Sequence, residues 1–223
     1  MAKRKTQKGP SWFEVGLGAF LSVVLGLVLG VAYMVAKPVQ AVKEIPKDAP
    51  AGAVYYIEGV RDFDKTEDVE DKRKRFLGGD SIEMQEGEVN VLLGNADRPA
   101  SASKPADKGP PAAPPMFDTG SLNVRIRDGK IQFGAPVNYN VFTVMGAVTV
   151  QSSGTFEKRG SEFTFVPDTL YVGGCNLVHI PFAREWVMGR LLFARPIPDD
   201  IGAAWSKLIA VSIDGNTLRL RMP

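Results

Sequence analysis

The longest uninterrupted apolar stretch of the chain runs from Val15 to Ala36 and holds no charged residue. About 22 residues rising ~1.5 Å each make roughly 33 Å of helix, enough to cross a hydrocarbon core of about 30 Å. Trp12 and Tyr33 stand near its two ends, where amphipathic rings favour the headgroup region, and Lys37-Pro38 stops it. The pattern predicts a transmembrane helix over 12–36. Within it Gly18, Ser22, Gly26 and Gly30 recur every fourth residue and form one smooth ridge. Small residues at that spacing let a second membrane helix approach closely, from a partner or from another copy of this chain.

Beyond the helix the pattern is mixed. Residues 37–53 contain three prolines and read as a tether lifting a domain off the bilayer. A helix is predicted over 65–77, with Asp64 as N-cap, Val69 and Phe76 as a narrow apolar stripe and Gly78-Gly79 as its stop. Its acids (Glu67, Asp68, Glu70, Asp71) precede its bases (Lys72, Arg73, Lys74, Arg75), so both signs suit the helix dipole. Asp68 with Lys72, Glu70 with Lys74 and Asp71 with Arg75 are spaced as i,i+4 pairs. Ser81-Ile82-Glu83-Met84 alternates like a short strand, and Val89, Leu92 and Leu93 follow at helical spacing up to Gly94.

From Gly120 the period becomes two. Leu122, Val124 and Ile126 alternate with polar residues and lead through Asp128-Gly129, a hairpin dipeptide, into Ile131 and Phe133. A second hairpin closes the chain, with Ile209, Val211 and Ile213 before Asp214-Gly215-Asn216 and Leu218, Leu220 and Met222 after it. Between them, residues 137–151 read as one long strand whose apolar phase flips at Val141-Phe142, which suggests a bulge in a curved sheet. Shorter strands are predicted at 162–166 and 169–173. A helix at 182–193 is apolar nearly all round and so is expected to be buried on several sides; another, at about 199–208, carries Trp205. The fold class is α+β: one N-terminal transmembrane helix followed by a curved antiparallel β-sheet packed on one or two helices.

Charge and composition then set direction and exclude chemistries. Lys3, Arg4, Lys5 and Lys8 crowd the tail at 1–11, against Lys37 alone just past the helix, so the tail is expected in the cytoplasm and the domain at 54–223 outside it. Val39-Gln40-Ala41 resembles a signal-peptidase site, which leaves cleavage after Ala41 as the alternative. The apolar run exceeds the ~7–15 residues of a signal h-region, and an uncleaved signal-anchor is preferred. Residues 98–115 hold six prolines and five alanines, a composition that cannot bury a core and reads as a disordered insertion. With a formal net charge of +2 in 223 residues, nothing calls for a nucleic-acid partner. Cys175 and His179 are each the only residue of their kind, so neither an internal disulfide nor a Cys/His metal cluster can form. His179 sits among apolar neighbours and reads as a structural histidine. Gly78-Gly79 lacks the Lys-Ser/Thr of a phosphate loop. Asp62 and Asp64, or Asp199 and Asp200, read as helix caps rather than as catalytic pairs. No catalytic residue, metal or cofactor is expected.

Short motifs carry a resemblance. Ser81-Ile82, then Glu86-Gly87-Glu88-Val89-Asn90 with Leu92-Leu93, is similar to a strand entering a helix through an acidic, Asn-containing turn; Val172-Gly173-Gly174, Ile180-Pro181, Trp205 and the Ile213-Asp214-Gly215 hairpin follow. In this order, over about 55–223, the chain resembles small single-pass bacterial envelope proteins related to tubular lipid-binding (TULIP-like) domains, from which the insertion at 98–115 departs. The resemblance implies an acyl chain held between a curved sheet and its helix, lined here by Phe142, Phe163, Phe165, Phe182, Trp186 and Phe193. The alternative is that these side chains simply pack as core. Two functions stay open: binding of a lipid or another apolar envelope component, and service as an interaction or scaffold subunit of a membrane-spanning assembly through the Gly/Ser ridge and the outer domain.

Overall fold

The computed structural model describes residues 11–42, 44, 46–50, 52–60, 62, 66–96, 116–141, 144–193 and 198–223. Helix α1 (Trp12–Ala36) begins with a reciprocal cap: the Ser11 hydroxyl accepts from the Glu14 N–H at 3.3 Å, and the Glu14 carboxylate accepts from the Ser11 N–H at 2.7 Å. It is long and apolar enough to cross a membrane, and none of its residues is buried by the rest of the chain. Strand β1 (Gln40–Val42) follows almost at once and pairs in parallel with β2 (Tyr55–Ile57). The segment expected to be a free tether is therefore hydrogen-bonded to the domain.

Helix α2 (Thr66–Gly78) buries Val69 and Phe76, as its pattern predicts. It ends in a left-handed glycine, Gly79 (φ 97°), with Gly79 N–H on Phe76 C=O and Asp80 N–H on Arg75 C=O. Its bases reach elsewhere than the expected i,i+4 acids: Lys72 to Glu88 at 2.7 Å, Lys74 to Asp71 at 3.3 Å and Arg75 to Asp80 at 3.5 Å. Asp64 lies outside the described residues. Strand β3 (Ile82–Gln85) runs directly into α3 (Glu86–Ala96), which continues through Gly94.

The main sheet contains β4 (Phe117–Thr119), β5 (Asn123–Arg127), β6 (Lys130–Val141), β7 (Val144–Arg159), β8 (Glu162–Val172) and β9 (Cys175–Asn176). Its order is β4-β6-β7-β8-β9, with β5 also on β6, and every pairing is antiparallel. The β5–β6 turn has Asp128 at φ 53° and Gly129 at φ 72°, the twist that suits a two-residue hairpin. The expected single strand over 137–151 is instead two strands, paired from Val141↔Val144 through Ile131↔Gly154. A two-residue connection pairs odd positions with even ones, so the apolar phase has to flip there without any bulge. The register shift lies one strand later, where Ser153 faces Thr169 and Gly154 faces Pro167, leaving Asp168 as the extra residue within one continuous β8.

After β9 come α4 (Pro181–Val187), a π-helical turn over Met188–Leu192 and α5 (Asp199–Trp205); β10 (Ala210–Asp214) and β11 (Thr217–Arg221) then form the closing hairpin. That hairpin takes β3 on its free edge, giving a second sheet β10-β11-β3. The architecture is α+β with open sheets. One continuous core joins Ile131, Phe133, Val137, Val150 and Leu170 of the main sheet to Val187, Leu191 and Leu192 under it and to Met84, Leu218 and Leu220 of the small sheet. The segment 182–193 is buried along one side only. Val187, Leu191 and Leu192 face in, while Phe182 stays 87% exposed.

Candidate functional site

Antiparallel pairing gives the main sheet two chemically different ends. At one end lie the β5–β6 and β7–β8 turns with the exposed charges Asp128, Lys130, Glu157, Lys158, Arg159 and Glu162. At the other lie the start of β4 and the facing ends of β6 and β7, while β8 stops short of that tip, with Val172 opposite Val150. The end of β8 meets α1. Gly174 N–H donates to Met34 C=O at 3.0 Å, Gly173 N–H donates to Thr149 C=O at 2.9 Å, and Val35 packs against the core. Two glycines are required in this turn. Gly173 is left-handed (φ 57°), and a side chain on it would run into the Val35 carbonyl.

From this junction toward the β6–β7 tip the apolar surface is uncovered. Phe182 is 87% exposed, Met145 77%, Met116 59%, Trp186 49% and Ile180 45%. Trp186 rests edge-on against Phe117 (centroids 5.7 Å apart), and Phe117 opens β4 opposite Tyr139, two positions from the end of β6 at Val141. Met116 C=O accepts from Asn140 N–H, and Asn140 is paired with Met145, so both methionines flank one residue at the same end.

The aromatic side chains singled out by the sequence do not make one lining. Phe165 and Phe193 join Phe133 in a cluster of edge-to-face contacts, at 5.0 Å (Phe133–Phe165), 5.1 Å (Phe133–Phe193) and 6.3 Å (Phe165–Phe193). Phe156 extends it to Trp205, whose indole N–H donates to Phe163 C=O at 2.9 Å. Rings at these separations fill the space between sheet and helices with one another. Phe182 and Trp186 lie outside that cluster, and Phe142 lies outside the described residues. An open concavity of about 330 Å³ lies elsewhere, against β2 over Arg125, Gln132, Gln151 and Thr169. His179 is exposed rather than structural, and among the described residues no three acidic, histidine or cysteine side chains gather as metal ligands.

What the sequence reading missed is the use of the Glu86-Gly87-Glu88-Val89-Asn90 turn. Asn90, fully buried, accepts from Val124 N–H at 2.6 Å and donates to Val124 C=O at 2.6 Å and Val60 C=O at 2.9 Å. Glu86 accepts from Ile126 N–H at 2.9 Å, Arg127 at 3.1 Å and Val60 N–H at 2.8 Å. Glu86 and Asn90 are four residues apart on a helix, about 6 Å, and residues 124 and 126 are two apart on a strand, about 6.6 Å. The helix face thus stands in for a neighbouring strand and closes the free edge of β5. Glu88, on another face, takes Lys72 at 2.7 Å and Gln85 N–H at 2.8 Å. These groups are mutually satisfied, which marks the cluster as a fold-holding clamp rather than a reactive site.

No protein-family model matches the chain, and searches of curated proteins and of solved structures found no significant match.

Proposed function

We propose that this chain is a single-pass, non-enzymatic membrane protein of the cell envelope, with its N-terminus in the cytoplasm and its α+β domain outside. In that place the domain engages a lipid or another apolar envelope component. The observation that carries the reading is the junction itself: the last turn of α1 is bonded to Gly174 at the end of β8, and the uncovered Phe182 and Trp186 follow it on α4. The direction rests on the four basic residues ahead of the helix. Because the inner aromatic rings already fill one another's space, an apolar ligand is expected on the outward surface of Phe182 and Trp186 rather than inside a tube. The likeness of the motif order to tubular lipid-binding domains points to the same chemical class.

Topology is tested by a reporter fused after Pro223, which should be active only if it works outside the cytoplasm. Ligand binding is tested on the domain from residue 38 onward, purified without membrane. Lipid in its organic extract, lost on Phe182→Ser, supports the reading. No lipid in the extract favours the second one, an interaction subunit whose Gly18, Ser22, Gly26 and Gly30 ridge grips a partner helix. That ridge is open along the described part of the chain, with nothing near Gly18, Gly26 or Gly30.

A further inference from the structure

The uncovered end of the main sheet has an occupant that the geometry itself identifies. Met34 and Val35 belong to the last turn of a helix long and apolar enough to span a bilayer, and Gly174 is bonded directly to that turn. No spacer separates the two. Val39 is half-buried and β1 starts at Gln40, already paired with Tyr55. The end of β8 therefore stands where α1 leaves the hydrocarbon, and between it and the β6–β7 tip five large apolar side chains (Met116, Met145, Ile180, Phe182 and Trp186) emerge into what would otherwise be water. The far end of the same sheet carries charges instead.

We infer that this end is a second membrane contact: Ile180, Phe182 and Trp186, flanked by Met116 and Met145, seat in the headgroup–acyl boundary of the bilayer that α1 crosses, so the domain lies against the membrane. The inference rests on the anchored reading above and names its apolar partner as the bilayer surface. An aromatic and aliphatic surface of this kind suits the interfacial zone, where rings partition well. The charged residues of the bordering segments are mixed, with Lys37 and Arg184 against Asp118 and Glu185, so the contact is apolar rather than electrostatic and is expected to be insensitive to salt.

The test uses the full chain in phosphatidylcholine vesicles, with Cys175→Ser and one new cysteine carrying an environment-sensitive dye. Three positions are compared: Phe182→Cys at the proposed contact, Lys158→Cys at the charged end and Leu25→Cys in the middle of α1. The expected result is blue-shifted emission at 182, quenched several-fold more by lipids with a shallow nitroxide than at 158, and unchanged in high salt; at 25, deep nitroxides should quench. If 182 behaves like 158 while 25 is quenched, the anchor stands and the contact is refuted. If 25 is not quenched, the anchor fails and the contact with it. A label-free counterpart keeps Trp186 as the one tryptophan (Trp12→Phe, Trp205→Phe) and asks whether brominated lipids quench it; unquenched Trp186 emission in vesicles where residue 25 is reached would likewise overturn the inference.

Discussion

Asn90→Ala is the most informative single change, because Asn90 replaces a strand with one side chain. Its amide serves both the N–H and the C=O of Val124, and Asn90 and Val124 are both fully buried. Truncation removes the partner of both backbone groups in a fully buried place. At about 1–3 kcal/mol for each unsatisfied buried group, the loss is roughly 2–6 kcal/mol. Val60 C=O, the third partner, belongs to an exposed residue that can turn to water, so it adds little. A central value of about 4 kcal/mol lowers the melting temperature by roughly 10 °C in a domain of this size. Urea unfolding followed by circular dichroism measures it, with hydrogen exchange at Val124 reporting whether the β5 edge opens first. If Asn90→Ala proves too unstable to purify, Glu86→Gln is the milder partner. An amide keeps only one acceptor oxygen for groups that the carboxylate now serves with two, and the expected cost is about 1–2 kcal/mol. A loss below about 1 kcal/mol for Asn90→Ala, or a greater loss for Glu86→Gln, would refute the idea that α3 closes this edge.

Three further outcomes are expected. Trp186→Ala should cost only about 1 kcal/mol, far less than the ~3–5 kcal/mol of a fully packed core tryptophan, because half of the ring is already exposed and Phe117 is its ring contact; calorimetry decides. Gly173→Val should leave the domain folded but free its turn from α1, since the new side chain meets the Val35 carbonyl; limited proteolysis across residues 37–53 should then become faster. Deleting residues 98–115 should shift the melting temperature by no more than a few degrees, since loop closure depends only weakly on length. A large fall would mean that the segment is docked on the domain.

Elements whose signal is local were legible in the sequence. The Val69/Phe76 stripe, the Asp128-Gly129 turn and the alternation of Leu218, Leu220 and Met222 each needed only period and turn chemistry, and each stands as read. The β6–β7 hairpin was not legible because Phe142-Thr143 carries no Gly, Asn or Pro, so a phase flip forced by a turn was indistinguishable from one forced by a bulge. The second half of β7 was missed for a different reason. Its core-facing positions there include Ser152 and Gly154, which bury through pairing with Leu170 and Pro167 rather than through hydrophobicity. The clamp was hidden most deeply. Glu86, Glu88 and Asn90 look like solvated first-turn residues, and only the tertiary placement of β5 and Lys72 turns them inward. The candidate aromatic side chains were legible as residues, yet their division into a packed cluster and an outward pair depends on which face of α4 meets the sheet.

That division separates the residues that hold the fold from those that the proposed membrane contact would use. One face of the main sheet is covered by α4, the π-helical turn and α5, the other is partly covered by β2 through Tyr56 against Gly134, and the β5 edge is closed by α3. The fold leaves open the apolar surface between the end of β8 and the β6–β7 tip. Substitutions in the clamp should therefore change unfolding without changing how a correctly folded molecule meets lipid, while substitutions at Phe182 should change that meeting and leave unfolding alone, because a side chain 87% exposed contributes little burial. Among the described residues the two sets share no hydrogen bond or ring contact, so their effects on stability should add within about 0.5 kcal/mol in the Asn90→Ala/Phe182→Ser double variant. Strong non-additivity would show that the open end and the clamp are coupled through the sheet, and the apolar end would then belong to the folding problem rather than to the membrane.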